Sequence, residues 1–159
     1  MKLDKILVPL DGSMLAEAAL STACEFAARD GATISLLRAA EGTTLTSDPI
    51  VAQVTAIREA EEYLAAVAKR LADKGTTRVE AHVWYGPAAV AIVEAAAVQK
   101  VDLIVMSTHG RSGLGRLVVG SVAESVLRGT TTPILIVRAG HAPVDVPKGV
   151  AEAKGAARV

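Results

Sequence analysis

The sequence predicts an α/β domain built on an open, doubly wound parallel sheet. Three observations predict it. Short apolar runs alternate with longer stretches whose apolar residues fall at helical spacing. The two most apolar runs, the first (Lys5 to Leu10) and the fourth (Asp102 to Ser107), form a natural central pair of strands. The 159 residues suit one domain with a sizeable core.

Taken in order, Lys5 to Leu10 (KILVPL) reads as a strand buried on both faces. Pro9 cannot donate to a ladder and belongs at its end. Asp11-Gly12-Ser13 turns the chain into a helix running to about Arg29, with Ser13 as its N-cap. Leu15, Ala19, Leu20, Ala23 and Ala27 supply its apolar stripe, and Gly31 closes it. Thr33 to Ala39 is a second strand, and the polar Glu41 to Ser47 a loop. Ser47-Asp48-Pro49 starts a long helix reaching about Lys74 and stopped by Gly75. Its inner face is Val54, Ile57, Leu64, Val67, Ala68 and Leu71; Glu59, Glu61, Glu62, Lys69 and Arg70 form its solvated side.

Arg78 to Tyr85 alternates, with Val79, Ala81, Val83 and Tyr85 on one face, as a strand near a sheet edge would. Gly86-Pro87 opens a third helix, Ala88 to Gln99. Asp102 to Ser107 is the fourth strand, Ser121 to Leu127 the core of a fourth helix, and Pro133 to Val137 the fifth strand. From Gly140 the composition shifts to Ala, Gly, Pro and Lys without periodicity. A domain of residues 1–139 followed by a mobile tail, 140–159, is therefore expected.

Composition narrows the function classes. Hydrophobic residues are 51% but aromatics only 3%, so the core is Ala, Val, Leu and Ile, with few platforms for stacking bases. Lys plus Arg and Asp plus Glu both number 17, and no basic face stands out, which argues against nucleic acid as a partner. No apolar run is long enough to span a bilayer, so no membrane partner is expected. The start, MKLDKILVPLDGS, lacks a signal peptide's apolar region, and a cytoplasmic location is expected. Cys24 is alone, which leaves no internal disulfide or cysteine-based zinc site; it reads as a small buried hydrophobe.

The stretch Val101 to Arg128 carries the chemistry. It is a strand, a glycine-rich loop and a helix start, an order that gathers backbone N–H donors where the helix dipole favours an anion. Gly110, Gly113 and Gly115 fall within six positions, and Arg111 and Arg116 add cations to the same loop. Neither the P-loop nor the dinucleotide fingerprint is present. Doubly wound sheets bind ligands beyond the carboxyl ends of their strands, where strand order reverses. There the first strand ends in Pro9-Leu10-Asp11, and the fourth in Met106-Ser107-Thr108-His109-Gly110. Plainer readings stand beside this one. The glycines also serve as loop residues with positive φ, Asp11 as a turn residue, and Ser121-Val-Ala-Glu124 as a capping box. His109 is equally a hydrogen-bonding loop residue, and His82 and His141 read as surface residues. No Ser/His/Asp or His/carboxylate metal set can be assembled, so neither a catalytic group nor a protein-held metal is assigned.

Four pieces resemble the universal stress protein family: ILVPLDGS, GPAAVAIVEAA, DLIVMSTHGRSGLGRLVVGSVAESVL and PILIV. The resemblance runs from about Lys2 to Arg138 and implies a five-stranded parallel sheet in the order 3-2-1-4-5, with four helices on two faces. The family's ATP-binding branch carries Gly-x-x-Gly, nine residues, then Gly followed by Ser or Thr. Here Gly110, the nine residues Arg111 to Val119, and Gly120-Ser121 match, while Ser107 replaces the first glycine. By this resemblance Asp11 holds the ribose hydroxyls, and Pro9, Arg38, Ala39 and Met106 border the adenine. His109 and Gly110 approach the α-phosphate and ribose; Gly120, Ser121 and Val122 bind the β- and γ-phosphates. Leu10, Ser107, Arg111 and Ala123, at the same strand ends, loop and helix start, complete the candidate set.

The fifth strand is apolar at consecutive positions and last in the sheet, an edge that needs a cover. The resemblance implies the same strand of a second subunit, giving a twofold homodimer through Pro133 to Val137. An adenine-nucleotide-binding, dimeric stress-response or signalling module follows, with ATP as ligand, a Mg or Mn ion bridging its phosphates, and an unidentified protein partner. Binding of ADP, AMP or cyclic AMP, a nucleotide-free interaction dimer, and slow Mg-dependent ATP hydrolysis stay open as alternatives.

Overall fold

The structure, a computed structural model, describes residues 1–41, 48–76, 78–108 and 120–138. Its elements run β1 (Lys5–Pro9), α1 (Met14–Glu17), α2 (Ala19–Asp30), β2 (Thr33–Ala40), α3 (Pro49–Asp73), β3 (Val79–Tyr85), α4 (Ala88–Gln99), β4 (Leu103–Ser107), α5 (Ser121–Gly129) and β5 (Ile134–Val137). All strands pair in parallel, in the order β3-β2-β1-β4-β5. The expected tail, 140–159, and the loop glycines Gly110, Gly113 and Gly115 lie outside the described residues.

The period of two along each strand sorts the core into two layers. Ile6, Val8, Ile34, Leu36 and Val105 pack against α2 and α3. Leu7, Leu37, Ile104 and Met106 face the other way, against Ile92, Ala95, Ala123 and Val126 of α4 and α5. β1 has a strand on each side and is buried on both faces, which is why its sequence reads as a continuous apolar run. At the amino ends of the strands, the Asp102 Oδ2 accepts from the Asp4 and Lys5 N–H groups at 2.8 and 2.9 Å. These bonds pin the start of β1 and leave the opposite, carboxyl-end rim for binding.

The single helix expected after β1 is divided into α1 and α2. Ser13 caps it, its Oγ accepting from the Ala16 N–H at 3.1 Å. Ala18 keeps right-handed helical angles, but its N–H bonds back to Leu15 at i−3, a tightened turn in an otherwise continuous rod. Gly31 ends α2 at φ 73°, as its residue type foretells. Asp48 caps α3, accepting from the Ile50 N–H at 2.9 Å, with Pro49 in the first turn.

Val54 departs from the expected inner face of α3: it is 61% exposed, whereas Ala60, Leu64, Val67 and Leu71 are buried. Length is the reason. A helix of 25 residues spans roughly 37 Å, about half again the length of the longest strand, so its first turns run past the sheet. β3 likewise keeps its alternation, but Ala81 and Tyr85 remain exposed because β3 lies at the edge. Cys24 is half-buried against the core and accepts from the Thr76 hydroxyl at 3.7 Å.

Candidate functional site

The overhang of α3 forms one wall of a cavity of about 420 Å³ beyond the carboxyl ends of β1, β2 and β4. The first turns of α4 and α5 close the other side. Of the residues expected from the sequence, Pro9, Leu10, Asp11, Arg38, Ala39, Met106, Ser107, Gly120, Ser121, Val122 and Ala123 all line it. His109, Gly110 and Arg111 lie outside the described residues.

Asp11 follows the central strand, where Leu10 still bonds across to β2, its N–H donating to the Leu37 carbonyl at 2.8 Å. The Asp11 Oδ1 accepts from the Ser13 N–H at 2.9 Å, an Asx turn that fixes the carboxylate on the rim. Gly12 takes φ 86°, a left-handed conformation suited to glycine. Both the turn role and a place on the cavity wall thus belong to Asp11 at once.

On the far side, Thr108 and Gly120 meet. The Thr108 N–H donates to the Val137 carbonyl at 3.1 Å, and the Gly120 N–H donates to the Thr108 carbonyl at 3.0 Å. A Cβ on Gly120 would lie 2.6 Å from that carbonyl oxygen. Close backbone approach, rather than positive φ, therefore requires glycine here; its φ is −52°. Gly120 is itself the N-cap of α5, and no side chain among the described residues caps the helix. Ser121 is the first helical residue, so it does not close a capping box. Glu124 instead receives a bond from Arg128 at 2.6 Å, which turns its charge along the helix. The first-turn N–H groups of α5 are left facing the cavity end, as an anion would use them. Ser107 ends β4 in register with Val137, in extended backbone that serine adopts without strain.

Arg38 leaves β2 toward α3, where its guanidinium stacks 4.8 Å from the Tyr63 ring centre. Tyr63 donates its hydroxyl to the Glu17 Oε1 at 2.9 Å, and Arg70 pairs with the Glu17 Oε2 at 2.8 Å. Burial first, and the Glu17 carboxylate second, push the Tyr63 phenol well above its ordinary value. Sequence reading missed Ala56 and Glu59, which line the cavity. Glu59 looks like part of a solvated helix face, and only the overhang of α3 brings it to the rim. Among the described residues no group of three His, Cys, Asp or Glu side chains converges as a metal site. None of their helices is long and apolar enough to cross a membrane.

The sequence profile described as "Universal stress protein family" matches residues 2–138. A putative universal stress protein of Staphylococcus haemolyticus is 32% identical over 150 residues, covering 92% of this chain and 91% of that one. Among solved structures, a hypothetical protein whose structure served to assign its biochemical function superposes with a TM-score of 0.77 at 28% identity, over 87% of this chain and 97% of that one. A universal stress protein solved in complex with cAMP shares the fold, with a TM-score of 0.70 at 24% identity over 87% of this chain and 99% of that one.

Proposed function

Since the chain belongs to the universal stress protein family, we propose that its cavity binds an adenine nucleotide, with ATP the preferred ligand. The observation that carries this reading is the pairing of opposite rims. A carboxylate fixed by the Asp11 turn stands at the end of the central strand, and the uncapped start of α5 faces it beyond β4. A ribose diol suits the first, since a carboxylate accepts from both hydroxyls. Phosphates suit the second, through backbone N–H groups and the Ser121 hydroxyl. Pro9, Ala39 and Met106 offer apolar contact for the base between them. The fold relative in complex with cAMP makes adenine nucleotides the first ligand class to try. A Mg²⁺ or Mn²⁺ ion would come with the phosphates and be held mainly by them, as Mg²⁺ usually is.

The biological reading is a dimeric module whose nucleotide occupancy alters its conformation or its choice of protein partner. β5 supports the dimer: it ends the sheet order, and Ile136 is 37% exposed on it. The nucleotide claim is tested by mass spectrometry of the supernatant after denaturing freshly purified protein, and by calorimetry with ATP. Asp11→Ala should weaken ATP binding by about tenfold or more, the worth of a charge-assisted hydrogen bond. No co-purified nucleotide and no heat with ATP, ADP, AMP or cyclic AMP would overturn the reading.

A further inference from the structure

Arg38 is set apart from five other arginines. Arg29, Arg58, Arg70 and Arg128 pair with carboxylates, and Arg78 donates to the Gly31 carbonyl. Among the described residues no hydrogen bond or ion pair joins the Arg38 guanidinium to another side chain or to the backbone, although Arg38 is half-buried on the cavity wall. It is nevertheless held in place. The Tyr63 ring lies against one side at 4.8 Å, and a Cβ on Gly12 would come within 3.4 Å of its Cζ and both terminal nitrogens. Tyr63 is in turn anchored by Glu17, which Arg70 also holds. A guanidinium with its donors unspent, fixed beside the residue next to Asp11, is built to receive an oxyanion from the ligand.

Resting on the adenine-nucleotide reading, the structure assigns to Arg38 the recognition of a phosphate esterified to a secondary ribose oxygen, 2′ or 3′. Asp11 and Arg38 then divide the sugar between them. The carboxylate takes the hydroxyl that remains free, and the guanidinium takes the phosphate on its neighbour. Dinucleotide-binding folds use the same contrast, an acidic residue for a free 2′-hydroxyl and an arginine for a 2′-phosphate. Arg38 stacks on α3, on the face of the sheet that α2 and α3 cover, whereas α5 packs on the opposite face, so the guanidinium and the start of α5 approach the cavity from different layers. The cavity therefore has two separate anion points, and a nucleotide phosphorylated at both 5′ and 2′ or 3′ would satisfy both. A 3′,5′-cyclic phosphate presents the same ester to Arg38 and leaves its 2′-hydroxyl to Asp11.

The test is a calorimetric comparison of AMP, adenosine 2′,5′-bisphosphate, adenosine 3′,5′-bisphosphate and cyclic AMP on the full chain, with ATP as reference. At least one of the three ribose esters should bind about tenfold or more tighter than AMP, and the arm that gains identifies the oxygen and the ester. In Arg38→Leu that ratio should fall to near one. Arg38→Lys, which keeps the charge but not the planar fork, should retain only part of it and guards against a folding defect in the leucine variant. ATP binding with no ester tighter than AMP, or a ratio unchanged in both variants, overturns the role of Arg38 and leaves the nucleotide site standing. Failure of every nucleotide, ATP included, overturns the site itself.

Discussion

At Gly120 an alanine methyl would press on the Thr108 carbonyl at 2.6 Å and break the 3.0 Å bond that joins Gly120 to Thr108. Gly120→Ala should cost about 1–3 kcal/mol in chemical denaturation, the loss of a partly buried hydrogen bond plus strain. It should also weaken ATP binding, because the start of α5 moves with it; wild-type stability and affinity would refute the argument. Tyr63 makes a second, titratable prediction. Its phenol is raised by burial first and by Glu17 second, so the folded state favours the neutral form. The linked stability is complete below the ordinary phenol value of about 10 and is lost as pH rises from there toward the folded value. Ultraviolet titration of Glu17→Gln should show the Tyr63 midpoint brought partway down, with burial holding the remainder. An unchanged midpoint would show that the carboxylate plays no part.

The elements explain where sequence patterns held and where they slipped. α2 and α4 end where their sequences say, because a capping residue or an apolar stripe is local information. The inner face of α3 was legible from Leu64 to Leu71 but not at Val54, since periodicity cannot report where the sheet beneath stops. Between elements, Ser35 of β2 donates its hydroxyl to the Gln99 Oε1 of α4 at 2.6 Å, while the buried Gln99 Nε2 has no partner among the described residues. Removing only Ser35 should be destabilising, by about 1–3 kcal/mol. The double variant Ser35→Ala with Gln99→Met should recover most of that loss in denaturant melts. A double variant as weak as the single one would mean that shape, not polarity, governs this contact.

At the scale of the whole molecule, β5 forms the end of the sheet. Among the described strands Ile134 to Val137 pair with β4 alone, and such edges are covered or blunted in stable proteins. If a second copy supplies the cover, Ile136→Lys should shift the mass in sedimentation equilibrium from dimer to monomer while the circular dichroism stays native. A wild-type monomer, or a variant that remains a dimer, would remove β5 from the interface. The nucleotide affinities above are to be measured on both forms, since a signalling role couples occupancy to assembly only if the two differ.

The sequence alone determined the alternation of strands and helices, the central place of β1, and the two strand ends that meet at the rim. Each of these follows from local periodicity and from burial on both faces, properties written along the chain. The end of the first strand also marks Asp11, and resemblance to the family adds Gly120 and Ser121 to the candidate set. Only the tertiary structure decided why Gly120 must be glycine, because the constraint is a carbonyl twelve residues earlier. Only it brought Glu59 to the cavity, through a helix longer than its sheet. The setting of Arg38 is likewise a tertiary fact: its guanidinium lies against Tyr63 and Gly12, residues 25 and 26 positions away in the sequence. Distances through space between residues remote in sequence carry that information, and no spacing along the chain contains it.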